Sequence, residues 1–388
     1  MSGGEKPIKL GIVAGEESGE LLGADLVRAL KAATGRPVEL VGVGGRHLQD
    51  QGLKTLFDPA DIALMGISAV LMDLPRLIRR IGTTARSLAE AKPDCVVTID
   101  SPEFSLRVAK KLRALDPAIP IVHYVCPSVW AWRSGRAKAM KPHVDHVLCL
   151  LPFEPKELGR LGGPPGTFVG HRLSRHEGVL LAADMQARRL RGGEQTLLLL
   201  PGSRRGEVKA LLGAFREAVS ILAERGHRPK LLLPTVPHVQ ELVRTATADW
   251  PTKPEILSGD DAKWRAFGEA DAAIAASGTV TLELALVGVP LISCYKFDAI
   301  ARIALKMVSI WSASLPNLIA DRFVVPEYYQ EFIRPGHMAR TIESLLADTA
   351  NRRWQLEGFA EVRKRLSTQK PSGEMAADVV LKAVGSRQ

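Results

Sequence analysis

The chain is short of cysteine and of aromatic residues and has no long unbroken apolar run, and each shortage removes a class of protein. Its four cysteines, Cys95, Cys126, Cys149 and Cys294, are scattered through 388 residues, too sparse for a disulfide-built fold and without the paired spacing of a zinc site. Cys95, Cys149 and Cys294 fall inside apolar runs, where a reduced cysteine serves as a small hydrophobe. His143 and His146 are the closest histidine pair and have no third ligand nearby in the sequence, so neither a bound metal nor a cofactor is expected. The longest apolar stretch, 272–295, is split by Glu283 and diluted with Gly, Ser and Thr, which excludes a transmembrane helix there. The opening MSGGEKP passes straight into IKLGIVA without the layout of a signal peptide, so a cytosolic location is expected. No D-x-D triplet occurs, which disfavours a metal-dependent nucleotide-sugar site of that type. Zinc-finger spacing, arginine-serine tracts and RNP-type aromatics are also missing, so a nucleic-acid role would rest on charge alone.

What is present is an ordinary globular composition, 46% hydrophobic and 24% charged, with a net charge of +10 that favours anionic partners. At roughly 150 residues per domain the length suggests two domains. Short β-rich runs, IKLGIVA (8–14), PVELVGV (37–43), DCVVTID (94–100), IPIVHYV (119–125) and DHVLCLL (145–151), alternate with amphipathic stretches such as Leu21–Ala33 and Phe104–Leu115. After LGGPPGTFVGH the rhythm restarts with TLLLLPG (196–202), PKLLLPT (229–235), ADAAIAA (270–276) and PLISCY (290–295). Near-continuous apolar strands alternating with helices predict parallel sheets covered on both faces. The expected architecture is α/β with two doubly wound, Rossmann-like domains facing a cleft. Their expected bounds are 1–172 and 173–340, followed by a helical tail, 341–388, packing back on the first domain.

In open α/β sheets ligands bind beyond the carboxyl ends of the strands, so the loops there carry the functional signal. AGEESGE after the first strand offers Glu16 and Ser18 to sugar hydroxyls, or makes Ser18 the N-cap of a helix; the residues alone leave both open. LPGSRRGEV opens a helix after a four-leucine run, aiming N–H groups and Arg204 at an anion such as a diphosphate. ASGTVTLE repeats the layout, and Glu283, the sole charge between Asp271 and Lys296, suits the two hydroxyls of a ribose. Asp100 ends its strand before Ser101-Pro102, where a carboxylate serves as a general base or caps the next helix. The stretch CPSVWAWRSGRAKAMK (126–141) pairs two of the six tryptophans with four basic residues. Over 66–81, Ile67, Val70, Leu71, Leu74, Leu77, Ile78 and Ile81 form an apolar helical stripe beside Arg76, Arg79 and Arg80, either core-packed or directed at acyl chains.

Taken in order from residue 14 to 320, AGEESGE, MGISAVLMDLPRL, IDSPEF, HYVCPSVWAWR, LPFE, FVGH, LLPGSRRGEV, ASGTVTLE and SLPNLIA resemble the lipid-A-disaccharide synthases, inverting bacterial glycosyltransferases of the GT-B architecture. The resemblance implies transfer from UDP-2,3-diacylglucosamine to 2,3-diacylglucosamine 1-phosphate (lipid X), giving a β-1,6 disaccharide and UDP. It implies Asp100 as catalytic base and Gly202, Ser203 and Arg204 around the diphosphate. Glu283 would hold the ribose, and Ser277, Gly278 and Thr279 the leaving group. Glu16, Ser18 and Asn317 would complete the cleft. Arg133 or Arg136 would meet the acceptor phosphate, with Trp130 either beside it or in the core. The implied setting is peripheral, on an anionic membrane surface at the cytoplasmic face of the inner membrane, with no nucleic acid partner and with room for a homodimer. Two departures from the commoner family pattern stand out: Glu20, where aspartate is usual, and GVGGRHL, where a proline normally follows the glycine. Other GT-B enzymes, a UDP-N-acetylglucosamine 2-epimerase or the peptidoglycan glucosaminyltransferase, share the expected shape. A nucleotide- or RNA-binding protein with no enzymatic activity is the remaining alternative.

Overall fold

A computed structural model describes residues 6–61, 74–189, 192–296 and 310–385. The chain forms two compact units, Met1–Arg172 with Thr368–Gln388, and Leu173–Ser367.

The first unit carries a seven-stranded sheet: β1 (Ile8–Ala14), β2 (Val38–Val43), β3 (Lys54–Thr55), β4 (Cys95–Ile99), β5 (Ile121–Tyr124), β6 (His146–Cys149) and β7 (Gly166–Phe168). All neighbours pair in parallel, in the spatial order β3-β2-β1-β4-β5-β6-β7. Because β1, β4, β5 and β6 are covered on both faces, their residues are apolar almost without interruption, as in VVTI of β4. One face is closed by α1 (Glu17–Thr34), whose Leu22, Leu26 and Leu30 pack with Ile12, Val97 and Tyr124. The other is closed by α3 (Leu74–Ala91) and α4 (Pro102–Leu115), following the four-residue α2 (Arg46–Gln49). Each such buried Leu, Ile or Phe contributes roughly 1.5–3 kcal/mol relative to exposure.

The second unit repeats the plan with β8 (Thr196–Leu200), β9 (Lys230–Thr235), β10 (Glu255–Ser258), β11 (Ala272–Ala276), β12 (Leu291–Tyr295) and β13 (Glu327–Tyr329). Their order is β10-β9-β8-β11-β12-β13, again all parallel. Helix α8 (Arg205–Glu224) lays Val208, Leu211, Leu212 and Phe215 on one face. Helix α11 (Thr279–Val287) lies among α7 (Glu177–Arg188), α10 (Asp260–Glu269) and α14 (Ala350–Leu366).

All nine strands expected from the apolar runs form. Four further strands, β3, β7, β10 and β13, are only two to four residues long and give no apolar run to find. The stretch expected as a single tail divides. Up to Ser367 it belongs to the second unit, where the buried Gln355 amide exchanges hydrogen bonds with the Leu291 backbone (2.6 and 2.9 Å). Beyond it, α15 (Ser372–Gly385) packs on α1 in the first unit through Ala376, Ala377 and Val380. Of the apolar stripe, Leu77 and Ile81 are core and Ile78 is exposed, while Arg76 and Arg80 both pair with Asp61. Ile67, Val70 and Leu71, and the Leu74 side chain, lie outside the described residues. No helix among the described residues is long and apolar enough to cross a membrane.

Candidate active site

Each sheet has one place where the strand order reverses. In the first it falls between β1 and β4, whose following helices, α1 and α4, leave to opposite faces of the sheet. Such a switch point opens a crevice at the carboxyl ends of the strands. The loops bordering it are AGEESGE and IDSPEF.

Asp100 follows β4 directly. Its backbone N–H donates to the Tyr124 carbonyl (2.9 Å), and its Oδ1 accepts from the Ser101 N–H (2.8 Å). Asp100 (φ 50°) and Ser101 (φ 42°) are consecutive non-glycine residues in the left-handed region, a conformation that costs about 1–3 kcal/mol per residue and persists only where surrounding structure enforces it. Across the crevice Glu16, the residue preceding α1, accepts from Ser101 Oγ at 3.4 Å. Burial raises the Asp100 carboxyl above its ordinary range, and burial followed by the Asp100 charge raises that of Glu16. Two neighbouring carboxylates with raised proton affinity are equipped to take a proton from a hydroxyl group.

Helix capping explains neither loop. The helix begins at Glu17, so Ser18 lies inside the first turn and makes no cap, and it is exposed. Among the described residues, the Asp100 side chain accepts from its immediate neighbour Ser101 and from no later N–H of the helix. Glu20 is buried, and a Cβ on Gly45 would lie 2.3 Å from its Oε1. The two departures from the family pattern, Glu20 and GVGGRHL, therefore meet in space: the longer carboxylate fills room that Gly45 leaves open.

In the first turn of α4, Glu103 gathers three arginines, Arg107 (3.4 Å), Arg133 (3.0 Å) and Arg136. Partial burial pushes its carboxyl up, but Arg136, then Arg133 and Arg107, outweigh that and hold it below the usual range. Arg133 also lies over the exposed Trp132 ring, 4.4 Å from its centroid. Trp130 points the other way: it meets Phe153 edge-on at 5.1 Å and donates to the buried Glu154 (3.1 Å). Its role is packing and bonding within the unit. Sequence reasoning missed Glu103 and Glu154 because each gains its importance from residues on other elements.

The second unit reverses between β8 and β11. After β8, Gly202 takes φ +104°, and a Cβ there would lie 2.3 Å from Glu207 Oε2. Arg204 is the N-cap of α8; its N–H and Nη1 both reach the Glu207 carboxylate at 3.3 Å, while its side chain stays 68% exposed. Ser203 is exposed and its carbonyl is 2.8 Å from His238 Nε2. After β11, Gly278 and Thr279 are exposed at the start of α11, and Glu283 pairs with Lys263 at 2.7 Å.

Two of the residues expected at the ligand are bonded within the fold. The Ser277 N–H bonds the Cys294 carbonyl (2.8 Å) and its hydroxyl the Ala313 carbonyl (3.1 Å), so its donors are committed to the fold. Asn317 is fully buried: its Oδ1 accepts from Val324 N and Val325 N, and its Nδ2 donates to the Val325 carbonyl and Glu327. It holds the turn before β13 and has no free polar atom to offer a ligand.

Two parallel sheets, each with a loop pair at its switch point, define a protein of GT-B-type fold. The solved structures agree on the fold. Acinetobacter baumannii MurG superposes with a TM-score of 0.58 at 15% identity, covering 97% of this chain and 100% of that one. The Staphylococcus aureus MnaA–UDP structure gives 0.59 at 13%, covering 96% and 95%. The sequence comparison is narrower: the family model for lipid-A-disaccharide synthetase matches residues 10–380. The lipid-A-disaccharide synthase of Rhodopseudomonas palustris (strain HaA2) is 47% identical over 377 residues, 96% of this chain and 95% of that protein. That of Nitrobacter winogradskyi is 44% identical over 378 residues, 97% and 96%. The chain belongs to the lipid-A-disaccharide synthase family, and that reading holds over the epimerase and peptidoglycan alternatives.

Proposed function

We propose that this enzyme transfers the sugar of UDP-2,3-diacylglucosamine to the 6-hydroxyl of 2,3-diacylglucosamine 1-phosphate (lipid X), forming a β-1,6 bond and releasing UDP. The observation that carries the residue assignment is the strained Asp100–Ser101 pair at the switch point of the first sheet. Asp100 removes the hydroxyl proton as the oxygen attacks the anomeric carbon from the face opposite UDP, which inverts the configuration. Glu16 and Ser18 hold sugar hydroxyls beside it. Arg204, with the N–H groups of Gly202 and Ser203, holds the diphosphate at the N-terminus of α8, where the helix dipole favours an anion. Gly278 and Thr279 offer N–H groups to the departing phosphate, and Glu283, oriented by Lys263, accepts from the ribose hydroxyls. The Glu103 cluster supports an acceptor-phosphate role for Arg133 and Arg136: the phosphate displaces a carboxylate that three guanidinium groups already surround. The net charge of +10, with Trp132, Lys138 and Lys141 all exposed, suits peripheral attachment to anionic lipid at the cytoplasmic face of the inner membrane.

The test is direct. Purified enzyme given labelled lipid X and the diacylated UDP-sugar is expected to form one disaccharide per UDP released. UDP release without a disaccharide, or activity on unacylated UDP-N-acetylglucosamine alone, would overturn the assignment.

A further inference from the structure

Beneath the loop that follows β5, three side chains from separate elements converge. Cys126 starts the loop, Cys149 ends β6, and Glu154 opens α6 (Glu154–Arg160), preceded by α5 (Gly135–Met140). Their ligand atoms, two Sγ and one carboxylate oxygen, all lie within 4.8 Å of one another, and all three residues are buried. We propose that Cys126, Cys149 and Glu154 form a binding site for a thiophilic divalent cation, zinc or cadmium.

The distances fit. Donors around a tetrahedral zinc, at about 2.3 Å for sulfur and 2.0 Å for oxygen, stand about 3.3–3.8 Å apart, so side-chain adjustments of roughly 1 Å close the site. The carboxylate has a lone pair to give. Its Oε2 accepts from the Leu150 and Leu151 N–H groups at 3.0 Å each, whereas Oε1 accepts only from Trp130, and each carboxylate oxygen can take two such partners. The Pro127 carbonyl accepts from the Cys126 thiol at 3.3 Å and from the Val129 N–H at 2.5 Å, so loss of the thiol proton leaves it one partner. Two thiols select zinc-like ions over magnesium or calcium. On uptake both thiol protons leave to solvent, and two thiolates with one carboxylate bring the dication to a net charge of −1 within the apolar cluster of Val129, Ala137, Met140 and Leu158. Scattered cysteines gave no sign of this, because 126 and 149 meet only once β5 and β6 pair.

The ion ties the start of the loop bearing Trp130, Trp132 and Arg133 to the end of β6 and the first turn of α6. It takes no part in sugar transfer, so the test reads binding. Reduced, metal-free full-length protein is titrated with cadmium chloride while the thiolate-to-metal charge-transfer absorbance is followed. Saturation at one equivalent is expected, with a raised melting temperature. Both signals should vanish in Cys126→Ser and Cys149→Ser, persist in Cys95→Ser and Cys294→Ser, and require about 10-fold or more cadmium in Glu154→Gln. In the wild type, where all four cysteines are buried, alkylation through slow opening is followed over time by mass spectrometry; bound cadmium should slow it far more at Cys126 and Cys149 than at Cys95 and Cys294, a readout that does not depend on any variant folding. Absence of the band, its survival in either cysteine variant, or unprotected alkylation of the pair would overturn the site.

Discussion

The two switch points share a scaffold and differ in charge. Between β1 and β4 the loops present carboxylates, Glu16 on extended backbone and Asp100 on backbone held in the left-handed region without glycine. Between β8 and β11 the loops present glycine, exposed helix N-termini and Arg204, with Gly202 supplying the positive φ. Raised proton affinity suits the first to removing a proton, and backbone donors with a guanidinium suit the second to holding an anion. On the proposed function, the same doubly wound sheet would serve chemistry in one unit and nucleotide binding in the other, the difference lying in the loops.

The largest effect should come from breaking the acidic side. Asp100→Asn keeps an acceptor for the Ser101 N–H but removes the base, and turnover is expected to fall about 10²- to 10⁴-fold with the fold intact by circular dichroism. The glycine side should be next. Gly202→Ala places a Cβ 2.3 Å from Glu207 Oε2 at a φ of +104°, and the resulting strain of about 1–3 kcal/mol should weaken UDP binding roughly 5- to 150-fold in calorimetry. Trp130→Phe should leave UDP binding alone and lower stability by about 1–3 kcal/mol in urea unfolding, since it takes one of three donors from the buried Glu154.

A smaller effect sharpens the contrast through pH. Because the Asp100 carboxyl is raised in the folded protein, the folded state binds more protons than the unfolded chain between the ordinary value of 3.8 and the raised one, and stability falls as pH rises through that window. The ionised carboxylate is then a standing cost at neutral pH. Asp100→Asn should unfold at higher urea than the wild type at pH 7, and the gain should disappear below the ordinary carboxylate range. A buried carboxylate that weakens its own fold is consistent with the strain found at the same place.

Much of this contrast was legible in the sequence, for identifiable reasons. Strands buried on both faces must be apolar throughout, so the nine central runs and the loops after them could be placed from composition. The edge strands KT, GTF, EILS and EYY bury too little to leave a pattern. Asn317 and Ser277 resembled ligand contacts because of the loops they occupy; their hydrogen bonds, from Asn317 to Val324, Val325 and Glu327 and from Ser277 to Ala313 and Cys294, depend on distant residues that no local pattern shows. The tail's division between the units rests on where Gln355 and Ala376 find partners, which no local pattern encodes. Arg133 and Arg136 stood out as a basic run, but the carboxylate that organises them, Glu103, belongs to a different loop.

The division of labour between the two switch points is tested most directly by measuring UDP affinity in Asp100→Ala and Arg204→Ala side by side, by calorimetry at one ionic strength. The account predicts that Asp100→Ala binds UDP within a few fold of the wild type while Arg204→Ala, having lost a charged hydrogen-bonding partner for the diphosphate, binds about 10-fold or more weakly. Unchanged binding in Arg204→Ala, or its loss in Asp100→Ala, would contradict it.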